Sequence, residues 1–369
     1  MGDTKPRNLW IGTSLVILVI QLLASPLPLL QDIIWWIFAL VTAAMIAIVA
    51  RRKRLWAKSA WGFVSVGMVL FVLTDLFSRG TSTEPTSPGA FGPIENVLHA
   101  ASFVFFSVAA VIFVNRRRRT VADIGGLLDS AIVFVGASMI AAEFFVYPLW
   151  SEGTLNSDQR TTLVLFEILN VLLLSLTVRL WFSTDRVVNR SARILSIGFL
   201  LLVLTDAIGI LSWLPSSPIE GRYTNPIVES AAIIFISLAG SAALDPTAAR
   251  PPAIDTEAVI VARSRVLFLL GAAVLVPPVL LLLHRDQGTF SNGRAFVLAT
   301  LALTVLLVLR VNLLVQGYRE AIFREHALRE INAGLMRTST IHEVNSRLSD
   351  WAGRLVEQPD VTCVLGTDE

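Results

Sequence analysis

Residues 295–335 read AFVLATLALTVLLVLRVNLLVQGYREAIFREHALREINAGL, an apolar run that becomes a charged one, with no proline and with glycine only at Gly317 and Gly334. A helix from Ala295 to about residue 333, rising roughly 1.5 Å per residue, spans on the order of 55–60 Å. That is about twice the thickness of a bilayer's hydrocarbon core, so one end lies in lipid and the other in water. Leu314, Tyr318, Ala321, Leu328 and Leu335 share a three-four spacing, the seam of a short coiled coil, which Glu325 and Asn332 interrupt. The stretch therefore predicts a signalling rod between a membrane region and a cytoplasmic one, with a homodimer along its cytoplasmic part. Tyr318 and Leu328 lie on that seam as relay positions. Arg310, in the inner third of the span, can snorkel to the interface and marks where the rod leaves the membrane.

The rest of the chain fits that frame. Of its 369 residues, 54% are hydrophobic and 16% charged, against about 25% charged in soluble domains. Apolar runs of spanning length fall at 9–24, 30–50, 56–78, 93–114, 124–147, 161–183, 191–214, 225–244, 265–284 and 295–315. The predicted fold is an all-α polytopic membrane protein with ten transmembrane helices. Alternate loops are basic: Arg51, Arg52, Lys53, Arg54 and Lys58; Arg116 to Arg119; Arg186, Arg190 and Arg193; Arg250, Arg263 and Arg265. The positive-inside rule places these loops and both termini in the cytoplasm. The pI near 9.0 then reports topology and gives no reason to expect a nucleic-acid partner. A single cysteine, Cys363, excludes an internal disulfide and any multi-cysteine zinc site, and four scattered histidines make no cage. No cofactor is evident. Lys5 and Arg7, the apolar run and Ala24-Ser25 imitate a secretory signal. The next segment is a second span and no exported domain, so retention is the expectation.

Ser65-Val66-Gly67-Met68-Val69-Leu70-Phe71-Val72-Leu73-Thr74-Asp75 aligns with Ser196-Ile197-Gly198-Phe199-Leu200-Leu201-Leu202-Val203-Leu204-Thr205-Asp206, 131 residues later, and Pro93-Ile94 aligns with Pro226-Ile227. Two tandem four-helix repeats, 1–120 and 121–250, are expected. An even number of spans per unit makes the repeats parallel in the membrane. A two-helix hairpin comes next at 251–316, then the signalling helix at 317–338 and a truncated soluble start at 339–369. Pro277-Pro278 is expected to kink the first helix of the hairpin. Residues 78–92 read as a flexible outer linker.

Ionisable groups inside a membrane are functional hypotheses, and here most share one depth. Asp75, Glu95, His99, Glu143, Glu167, Asp206 and Glu229 all fall toward the outer side, six carboxylates and one imidazole without a lysine or arginine. Glu95 and His99, four apart, share a helix face. Such a layer suits an unknown small cationic ligand, an ion or a metal, or titration with external pH. The alternative is interfacial solvation and helix-to-helix hydrogen bonding. Asp129 and Asn170 read as packing contacts.

After the rod, 341–355 has helical apolar spacing, 360–365 reads as a strand and 366–369 as a turn. One helix and one strand cannot bury a core, so the sequence reads as part of a longer protein. Leu328-Arg329-Glu330-Ile331, Gly334 to Thr340, Val344 and Val361 to Gly366 resemble the opening of a GAF domain after a signalling helix. The whole arrangement resembles actinobacterial membrane-bound GGDEF/EAL proteins, including at Gly125 to Ala131 and at Leu238-Ala239-Gly240-Ser241-Ala242-Ala243. The resemblance implies a sensor in a bacterial inner (plasma) membrane whose output makes or hydrolyses cyclic di-GMP. No GGDEF or EAL motif is present, nor HExxH, GxSxG or Walker A. Ile341-His342-Glu343-Val344 also resembles the H-box of histidine kinases, without its usual proline. A histidine-kinase input region and a small-solute or ion transporter are the alternatives.

Overall fold

The computed structural model describes residues 5–24, 27–52, 55, 57–81, 93–115, 121–147, 157–183, 190–211, 226–249, 271, 274–281 and 293–335. Every regular element among them is helical: α1 (Lys5–Leu23), α2 (Pro28–Arg52), α3 (Lys58–Thr81), α4 (Pro93–Asn115), α5 (Val121–Ala141), α6 (Ser157–Ser183), α7 (Arg190–Leu211), α8 (Pro226–Leu244) and α9 (Gly293–Leu335). α5 runs into a π-turn at Ala142–Val146, and α8 is followed by a 3₁₀ turn at Pro246–Ala249. In lipid a helix pairs its backbone groups internally, which long apolar runs require. α2, α4 and α8 all begin on proline, which is pre-set for the first helical position and has no N–H to leave unpaired. Among the described residues eight helices, α1 to α7 and α9, are long and apolar enough to cross a bilayer, and α8 has a shorter apolar stretch, Ser230–Leu244. The described residues form an all-helical membrane protein.

The expected run at 265–284 is described only at 271 and 274–281, both helical. Val276 and Leu280 from that segment pack with Ile132 and Met139 of α5 and Leu303 of α9. The expected strand and GAF-like start lie outside the described residues. The chain divides into two compact units, Met1–Leu307 and Val308–Glu369. Described within the second is the remainder of α9, where exposed Glu325 and Arg329 form an i,i+4 ion pair.

The two repeats interlock. α2 packs on α3, α3 on α4, α4 on α6, α6 on α7, α7 on α8, and α8 returns to α2, closing a six-helix ring. Helices 2–4 and 6–8 therefore occupy equivalent places, with α4–α6 and α8–α2 as the two junctions. α1 lies outside against α8, and α5 outside against α6. Sequence equivalence becomes contact equivalence at the ring's centre. Gly67 of α3 faces the Phe106 ring of α4, and Gly198 of α7 faces Phe235 of α8. Phe106 then meets Phe199 and Phe235, centroids 5.7 and 5.6 Å apart, joining the halves across the middle.

Several hydroxyl groups in the spans bond in one of two ways. Thr42, Thr74, Thr205 and Ser196 donate to the carbonyl four residues back in their own helix. Ser65, Ser175 and Ser191 instead bridge helices, to the carbonyls of Ala43, Ser130 and Ala242. The two segments that carry the family resemblance are thus packing sites. Ser130 holds α5 to α6, and the small residues near the end of α8 admit neighbouring helices.

Candidate functional site

Three ring helices bring charged side chains into one buried cluster. His99 is one to two turns into α4, Asp206 is five residues before the end of α7, and Glu167 and Asn170 are one turn apart on α6. His99 Nε2 is 3.3 Å from Asp206 Oδ1. Asn170 Nδ2 donates to the other oxygen, Asp206 Oδ2, at 2.6 Å, and Asn170 also hydrogen-bonds Glu167. Relative exposures are 2% for His99, 3% for Asp206, 6% for Glu167 and 1% for Asn170, so bulk water does not reach them. Glu167 Oε2 and Asn170 Oδ1 are buried with no hydrogen-bond partner. Aromatic rings enclose the imidazole, with centroids of Phe166, Phe103 and Phe71 at 4.5, 5.0 and 6.0 Å. The pair belongs to both repeats: His99 comes from the first and Asp206 from the second.

Glu95, one turn before His99, is as deeply buried. Asp75, the counterpart of Asp206, is half-buried and accepts a hydrogen bond from Trp36 Nε1 at 2.8 Å. In each repeat the aspartate near the end of the third helix thus accepts from the second helix, Trp36 of α2 or Asn170 of α6. Glu143 sits half-buried in the π-turn after α5. Glu229 lies in α8 with its side chain outside the described residues. The expected layer therefore resolves into one close cluster, His99, Glu167 and Asp206, with Glu95 beside it on the same face. Asn170, expected to be only a packing contact, belongs to it. Its i,i+3 spacing from Glu167 is the signal the sequence offers for this. Among the described residues, no three His, Cys, Asp or Glu side chains come together to hold a metal ion. On α9, Arg310 is half-buried, Tyr318 is exposed and the Leu328 side chain lies outside the described residues.

A second polar assembly closes the other end of the bundle. Arg7 of α1 pairs with Asp245, just beyond α8. The same carboxylate accepts the backbone N–H and hydroxyl of Thr247 at 2.9 and 2.7 Å, while the Thr247 hydroxyl accepts the N–H of Ser191 at 2.9 Å. Trp10 of α1 donates to the Ser237 carbonyl at 3.1 Å and lies on Gly240, where a Cβ would come within 2.6 Å of the indole. Burial alone would raise the Asp245 carboxyl, but the Thr247 hydrogen bonds and the Arg7 guanidinium outweigh it and hold the group below the ordinary aspartate value. A depressed folded value contributes stability above the unfolded-state value, and that stability is lost as pH falls through the folded value. α1 is thus expected to loosen from α8 in acid below the ordinary aspartate range. Arg7→Ala should remove about 2 kcal/mol of docking at neutral pH and flatten the acid dependence. Thiol labelling of a Ser14→Cys variant on the buried face of α1 reads both effects, and unchanged labelling in Arg7→Ala would contradict this account.

No protein-family model, curated protein or solved structure matches the chain.

Proposed function

We propose that the chain is the membrane-embedded signal-input region of a bacterial signalling protein, with ten spans and both termini cytoplasmic. The His99–Asp206 cluster receives the input, and α9 hands it to a soluble output. The observation that carries this reading is α9 itself: one helix, Gly293–Leu335, whose first part is long and apolar enough to span a membrane and whose later turns hold an exposed charged pair. Such a helix can pass a small rotation or shift from lipid to water. The resemblance at 328–366 supplies the rest of the proposal: a GAF-like domain after the rod, a homodimer along it, and synthesis or hydrolysis of cyclic di-GMP as output. A histidine-kinase output would use the same input logic with His342 as phosphoacceptor.

Insertions of one to four residues after Arg324 in the full-length protein should change cyclic di-GMP output with helical periodicity. A flat response removes rotational coupling. A second reading, transport of a small solute or ion, is favoured by the tandem repeats and by a buried charged cluster where they meet. Uptake into proteoliposomes that Asp206→Asn abolishes, together with output indifferent to the same substitution, would move transport to the front.

A further inference from the structure

We propose that the cluster on α4, α6 and α7 is a proton-binding site, at which Glu167 Oε2 takes up one proton from the side of the membrane where α4 and α6 begin. The proposal rests on the reading of this cluster as the input site and names what it takes up.

Two buried oxygens are without a partner, Glu167 Oε2 and Asn170 Oδ1. Both are acceptors, so no rearrangement between them makes a hydrogen bond without an added hydrogen. The two hydrogens of the Asn170 amide nitrogen serve Asp206 and Glu167, which leaves its oxygen as the half without a partner. A proton on Glu167 Oε2 turns one orphaned acceptor into a donor. Charge leads to the same place. Within the trio itself, leaving aside Glu95 beside it, a charged imidazole offsets one carboxylate of the pair Asp206 and Glu167, and one negative charge remains on the trio in an apolar interior. A single added positive charge balances it.

Among the described residues, Arg160 is the cation at this end of α6, half-buried and already engaged. Facing α6 at this end are Glu95 and His99 on α4, Asp206 on α7 and Glu143 in the π-turn, while Asp129 belongs to the far part of α5. On α6 itself Asp158 and Arg160 lie about two turns before Glu167, and Arg179 is toward the opposite end. Asp75 is engaged by Trp36. A metal ion would need several ligands together, six or more oxygens for calcium, and among the described residues no set of even three side chains converges for one. The rings at 4.5 and 5.0 Å from the imidazole close the space further. The proton is the positive charge that fits without a cavity.

The step is a simple transfer. A hydronium ion at the membrane surface gives up a proton, an O–H bond forms at Glu167 Oε2, water is released, and nothing is oxidised or reduced. Infrared difference spectroscopy on the full-length protein in lipid vesicles tests it. A carboxylic-acid carbonyl band is expected that titrates with bulk pH, is missing in Glu167→Gln, and does not respond to replacing sodium by N-methylglucamine. No titrating band, a band that persists in Glu167→Gln, or one that sodium removes at fixed pH would overturn the proposal, the last in favour of an alkali-cation site. Should Glu167→Gln fail to fold, Asp206→Asn must displace the midpoint of the band, and an unmoved midpoint overturns the proposal equally. Output plays no part in this measurement. A titrating Glu167 whose occupancy leaves cyclic di-GMP unchanged would keep the proton site and discard the signal-input reading.

Discussion

Gly67→Val is expected to destabilise the bundle by about 3 kcal/mol, the upper range for overpacking a tight core. A Cβ at Gly67 would lie 2.6 Å from Phe106 Cε1 and 2.8 Å from its Cδ1, whereas carbon atoms settle at roughly 3.5–4.0 Å. Phe106 has nowhere to go: it is fully buried, between Phe103, Phe199 and Phe235. Any shift is passed to the second repeat. Better helix propensity returns at most about 1 kcal/mol, the gap between glycine and alanine, so steric crowding decides the sign. At the matching glycine of the other repeat, the smaller change Gly198→Ala meets Phe235 at 3.4 Å and should cost under about 1 kcal/mol, since the neighbour must yield at most a few tenths of an ångström. Equilibrium unfolding in bicelles measures both. Phe106→Leu should recover most of the Gly67→Val loss, and absence of that rescue would show that the glycine serves some other purpose.

This asymmetry marks how far the sequence can be read. Apolar runs locate the helices to within a few residues, because lipid leaves a backbone segment few alternatives. The repeat is legible for the same reason: Ser-x-Gly and Leu-Thr-Asp are small and polar residues at positions where two helices must approach or bond. The repeat alignment cannot show that Gly67 is crowded while Gly198 leaves room for a Cβ at ordinary contact distance, because that depends on rings of the following helix. The π-turn at Ala142–Val146 is equally invisible to hydrophobic periodicity, since AEFFV would suit an ordinary helix. Arg7 and Asp245 are 238 residues apart and no local pattern joins them.

The candidate site is half legible. Depth along each span groups His99, Glu167 and Asp206, because ionisable residues in apolar runs stand out. Depth says nothing of which face each residue occupies, so Asp75 and Glu143 enter the same layer although the fold gives Asp75 to Trp36 and puts Glu143 in the peripheral π-turn. Asn170 carries no charge and does not stand out in an apolar run, yet it is the group that ties the two carboxylates together. A seam between repeats is where such a group matters. The ring closes by packing alone at the phenylalanine level, and two turns away the same seam carries polar side chains that could have been apolar.

Asp206→Ala should measure what that polar seam is worth. Hydrogen bonds between membrane helices average only about 0.6 kcal/mol, because the separated helices find other partners. Removing one member of a buried charged pair costs about 3–5 kcal/mol, because the other is left uncompensated. Asp206 is 3% exposed, with His99 at 3.3 Å on one oxygen and Asn170 at 2.6 Å on the other. Its loss strands two groups at once, so a cost above the hydrogen-bond average is expected, reaching the larger figure if the imidazole carries its proton. Asp206→Asn keeps an acceptor for Asn170 while removing the charge and should fall between the two values. A double-mutant cycle with His99→Gln separates the terms: coupling well above about 1 kcal/mol assigns the energy to the charged pair, and coupling near zero reduces the cluster to ordinary helix-to-helix hydrogen bonding. In the second case the bundle would tolerate Asp206→Ala with little loss, and the seam would have no store of energy for an input to act on. The energetic result therefore bears on function as well as stability. A site that biases two arrangements of the ring must hold a difference of at least this size between its paired and unpaired states, since a ligand can shift an equilibrium only by its differential interaction with the two.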